Sequence, residues 1–71
     1  MSKVEVIVKI EKDYKDRLSE IAAQCKNAGM NIEQQMGALG MISGTVEKSA
    51  IGKIEKIEGV AYVEESKPIG I

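Results

Sequence analysis

Apolar residues along this 71-residue chain recur first at every second position and then at every third or fourth, and the same switch happens again in the second half. Val4, Val6, Val8 and Ile10 fall on one side of an extended segment, with Glu5, Ile7 and Lys9 on the other. That spacing predicts a half-buried strand in which Ile7 is out of character on the wet side. Tyr14, Leu18, Ile21, Ala22, Cys25 and Ala28 follow at helical steps. Asp13 is placed to cap this helix, Asp16 lies in its first turn, and Gly29 is a natural stop. Residues 31–46 return to alternation broken by Gly37, Gly40 and Gly44, which predicts two short strands joined by a turn near Leu39 and Gly40. From about Glu47, Ala50, Ile51, Ile54 and Ile57 outline one face of a second helix, with Lys48, Lys53, Glu55 and Lys56 on its solvated side. Gly52 weakens that helix, Gly59 ends it, and residues 60–64 read as a final strand.

A chain ordered strand, helix, strand, strand, helix, strand closes economically as two split crossovers. The expected fold is therefore α+β, a ferredoxin-like βαββαβ sandwich with a four-stranded antiparallel sheet and two helices on one face. Residues 1–65 are expected to form this single domain, and residues 66–71 a flexible C-terminal tail. Helices on one side leave the other side of the sheet open, where Ile7, Leu39 and Tyr62 should stand among Glu5, Lys9, Glu33 and Gln35. A contiguous apolar patch on that face would mark a partner surface.

Composition narrows the functions such a domain can perform. With two Tyr and no Phe or Trp, the core must be aliphatic, and Met30, Met36 and Met41 are suited to filling its gaps. Ten basic and eleven acidic residues are interleaved to a net charge of -1, and neither a basic stripe nor aromatic stacking platforms are present to hold a nucleic acid. The chain lacks the apolar stretch of a signal peptide or membrane span, which predicts a soluble, cytoplasmic protein. Cys25 has no second Cys and no His to pair with in a disulfide or metal set, and it is in phase with the core stripe, so it reads as a small buried hydrophobe. Without His, and with Ser43, Ser49 and Ser66 lacking an evident base, no catalytic, cofactor or metal residues are expected. Glu64 and Glu65 are adjacent on a strand and point to opposite faces, so they cannot act together on one substrate. The glycines around Ala38 and Leu39 precede a strand rather than a helix, which makes them turn residues rather than a phosphate cradle.

Ile42, Ser43, Gly44, Thr45 and Val46, the helix bearing Ala50, Ile51 and Ile54, and above all the run Gly59, Val60, Ala61, Tyr62, Val63, Glu64, Glu65 resemble the propeptides of subtilisin-like serine proteases and the free-standing propeptide-like inhibitors. The likeness spans the second half without gaps, while the first half agrees in pattern. It implies a sheet that packs on two surface helices of the protease and a C-terminal tail that lies in the active-site cleft like a cleaved product. It also implies acidic residues after the last strand that cap the N-termini of those two helices, where unpaired amides and a partial positive charge favour a carboxylate. Glu64 aligns with one of these acids. The second acidic position is Ser66, which accepts a hydrogen bond without bringing charge. Counting onward places Ile69 at the fourth subsite, followed by Gly70 and Ile71, while Lys67 and Pro68 hold the approach extended.

The expected function is thus inhibition, or chaperoning, of a subtilisin-like serine protease through Glu64, Ser66, Lys67, Pro68, Ile69, Gly70 and Ile71. Running from Met1 to Ile71 with no protease domain behind it, the chain reads as an inhibitor that folds unaided. The alternative is a small ligand-binding or regulatory module of the same topology that pairs with a second copy through strand edges.

Overall fold

A computed structural model describes residues 3–66 and shows the ferredoxin-like sandwich. Its elements are β1 (Lys3–Ile10), α1 (Leu18–Asn27), β2 (Asn31–Met36), β3 (Met41–Glu47), α2 (Ile51–Glu55) and β4 (Val60–Ser66). The strands form one antiparallel sheet in the order β2-β3-β1-β4, so β1 is central and pairs with both β3 and β4. The alternation of β1 explains that position. Val6, Val8 and Ile10 are at most 1% exposed and face the helices, where burial of each such side chain contributes about 1.5–3 kcal/mol. They meet Ile42 and Val46 of β3, Leu18, Ile21, Ala22 and Cys25 of α1, Ile54 of α2, and Val60 of β4 in one aliphatic core, with Met30 filling its margin.

The first helix begins later than the sequence suggests. Lys12–Arg17 forms a 3₁₀ segment in which no residue is buried, Glu11 occupies the N-cap position, and no side chain caps it. Asp13 therefore lies in the first turn and does not cap. The reason is local: this stretch is charged except for Tyr14, and α-helical winding starts only where Leu18 docks on the core. Tyr14 instead reaches across the molecule, its hydroxyl donating to a Glu58 carboxylate oxygen at 2.7 Å. That bond holds the Tyr14 proton, so its pKa is raised above the usual tyrosine value. The second helix is likewise short, preceded by the 3₁₀ turn Lys48–Ala50, and only Ile54 on it is buried.

Two glycines are required by close approach. Gly59 has φ +97°, and a Cβ there would lie 2.6 Å from Ile21 Cδ1 and 2.8 Å from Tyr14 Cδ2. Gly44 is a buried residue of β3 that lies across from Val6 and Ile32, and a Cβ there would run into the Asn31 carbonyl. The last strand continues two residues beyond Glu64, because Glu65 and Ser66 still pair with Val6 and Glu5 of β1.

Three outcomes follow from this packing. Gly59→Ala should lower stability by about 3 kcal/mol, read as a fall in the urea midpoint, since it combines a disfavoured φ with overpacking. Gly52→Ala should raise it by about 0.5–1 kcal/mol, because that position is an exposed α2 site with open space around it. Burial pushes the Cys25 thiol up to about 11 from 9.0. The folded state thus favours the neutral thiol, and its contribution is complete below pH 9.0 and declines as pH rises toward about 11. A thiol reagent should accordingly label Cys25 slowly at neutral pH and quickly only in denaturant; rapid labelling of the folded chain would contradict this burial.

Candidate functional site

The helices leave the other face of the sheet uncovered, and strand register orders it. Because directly paired residues share a face, the pairings run across the sheet as successive rows. Nearest the β2–β3 turn stand Met36, Met41, Lys9 and Tyr62; next come Gln34, Ser43, Ile7 and Glu64; then Asn31, Thr45, Glu5 and Ser66. The first row is apolar apart from one ammonium, the second is mixed, and the third is polar and acidic. Lys3 and Glu47 pair beyond the third row.

At the apolar end Tyr62 is 52% exposed and Leu39, in the turn, 56%. Two lysines fix that turn: the Lys9 ammonium donates to the Leu39 carbonyl at 2.7 Å and Lys15 to the Ala38 carbonyl at 3.2 Å. Gly40, at φ +66°, closes it, and its carbonyl accepts from the Ile10 amide at 2.8 Å. The Met36, Met41 and Ile7 side chains are half-buried among their neighbours. At the acidic end a shallow hollow of about 140 Å³ is lined by Glu5, Ile7, Glu33, Ser43 and Ser66.

This arrangement sorts the residues expected from sequence. Ile7 and Tyr62 are on the open face with Glu5 and Lys9, and Glu33 borders its hollow. Gln35 is not on it. A bulge at Glu33 shifts the register between Ile32 and Gln34, so that Gln34 pairs with Ser43 on the open side while Gln35 pairs with the core residue Ile42. Glu64 and Ser66 stand on the open face two residues apart, about 7 Å along β4. Glu65, paired with Val6, points to the helix side. Lys67, Pro68, Ile69, Gly70 and Ile71 lie outside the described residues.

Of the three methionines expected to fill core gaps only Met30 does so; Met36 and Met41 stand on the open face instead, because their strand register pairs them with each other and with Lys9. Alternation placed Glu5 on the wet side, but only the pairing of β1 with β4 sets it against Ser66. A second hollow, about 470 Å³, lies between α1 and the outer strand β2, lined by Ser19, Ala22, Ala23, Lys26 and Ile32. Among the described residues no three His, Cys, Asp or Glu side chains are grouped to hold a metal ion, none of the buried residues is polar or charged, and no helix is long and apolar enough to cross a membrane.

Compared with known proteins, the chain matches no protein-family model and no curated protein.

Proposed function

We propose that this chain inhibits a subtilisin-like serine protease, docking through the open sheet face and presenting residues 67–71 as a product-like tail. The observation that carries the reading is the layout of that face: an apolar end at Met36, Met41 and Tyr62, and an acidic end at Glu5 and Glu64 from which the tail continues. Apolar surface favours packing against helix sides. Carboxylates at the other end favour the amides and partial positive charge of helix N-termini. Glu5 places a carboxylate across from Ser66, so negative charge at that end does not depend on residue 66. A tail beginning at the acidic end enters the cleft beside those helix ends, with Lys67 before Pro68 favouring an extended backbone that pairs as an added strand. A folding-chaperone role would use the same contacts; the continuous core and the glycine stops at Gly29 and Gly59 favour an inhibitor that folds alone.

A second reading is supported by β2. It is an edge strand, Asn31–Met36, with no Lys or Pro to guard its unpaired amides and carbonyls, and it borders the larger hollow. A regulatory module that pairs with a second copy along this edge would scatter light as a dimer and leave proteases unaffected.

The full chain should inhibit a subtilisin-type protease at micromolar concentration or below. Deleting residues 67–71 should weaken inhibition by about 100-fold, and Glu64→Lys by about tenfold, through a faster dissociation rate. Equal inhibition by intact and truncated chains would sink the tail mechanism, and a dimer with no inhibition would favour the second reading.

A further inference from the structure

We propose that Met36 and Met41 form an oxidation site for hydroperoxides that governs the open face. The two residues are direct register partners on β2 and β3, and Met41 is in turn the partner of Lys9, itself across from Tyr62. Both residues are half-buried at the surface, whereas Met30 is 2% exposed in the core. Cys25, the other sulfur within the described residues, is fully buried, and its raised pKa leaves little thiolate to compete. Among the sulfurs of the described residues, an oxidant arriving from solvent therefore meets Met36 and Met41 first.

The step balances with hydrogen peroxide alone. A lone pair on the methionine sulfur attacks one peroxide oxygen, the S–O bond forms as the O–O bond breaks, and the departing hydroxide takes the proton left on the transferred oxygen to become water. The thioether loses two electrons as it becomes the sulfoxide, and the peroxide gains them. The product replaces a flexible apolar side chain with a polar one. In the row Met36, Met41, Lys9, Tyr62 this puts strong acceptors where the face is otherwise most apolar. A partner that covers that row must desolvate them without pairing them. The consequence for binding rests on the inhibitor reading; the selectivity of oxidation does not.

The test is graded hydrogen peroxide on the full chain, with peptide mass spectrometry to locate each added oxygen and a subtilisin-type protease assay alongside. Met36 and Met41 should gain oxygen well before Met30, the far-ultraviolet dichroism should stay native, and inhibition should weaken about tenfold. Methionine sulfoxide reductases should restore it, and whatever inhibition a Met36→Leu, Met41→Leu double variant shows before treatment should be unchanged by peroxide. Oxidation of Met30 at an equal rate, or unchanged inhibition by chain oxidised at both sites, would overturn the proposal. If the unoxidised chain fails to inhibit, the docking reading falls together with control of binding, while the order of oxidation still decides whether the paired methionines are the site.

Discussion

The whole architecture depends on the pairing of β1 with a neighbour on each side. A central strand whose inward residues are Val6, Val8 and Ile10 must be covered by helices on that face, and the same backbone sends Glu5, Ile7 and Lys9 to the opposite face. Core and candidate site are two sides of one strand. A slip of a single residue would exchange them, placing charges in the core and valines in solvent. The apolar packing against α1 and α2 is what makes such a slip unfavourable.

A core without Phe or Trp must gain its stability from close contact among small aliphatic groups, and the glycines show how close that contact is. Gly44 lets the Asn31 carbonyl approach β3, and Gly59 lets the Tyr14 ring and Ile21 close over the start of β4. The Tyr14–Glu58 hydrogen bond joins the 3₁₀ segment to the loop before β4, so the weakly helical stretch Lys12–Arg17 is held by a tertiary contact rather than by its own propensity. Short helices suffice because their task is to cover one face of the sheet.

The open face combines an apolar, lysine-bearing end with an acidic end from which residues 67–71 continue. A surface of mixed character is well suited to a partner that is itself polarised along one direction, as packed helices are. Edge strand β2 contributes to two surfaces: Asn31, Gln34 and Met36 stand in the rows of the open face, while Ile32 lines the hollow on the flank of α1.

Much of this fold was legible because hydrophobic period depends on local geometry alone. Alternation at residues 4–10 and helical spacing from Leu18 to Cys25 dictated the order and type of elements, and Gly29, Gly40 and Gly59 marked turns that indeed have positive φ. The start of α1 was not legible, since Asp13 has the chemistry of a cap but winding awaits the docking of Leu18. Nor was the exact membership of the open face. Placing Gln34 rather than Gln35 there required the bulge at Glu33, and setting Glu5 against Ser66 and Met36 against Met41 required strand register. The sequence by itself determined which residues are apolar at which spacing, and hence the elements and the two sides of each strand. Only the tertiary structure decided which of those sides meet, because register arises from contacts between segments far apart in the chain.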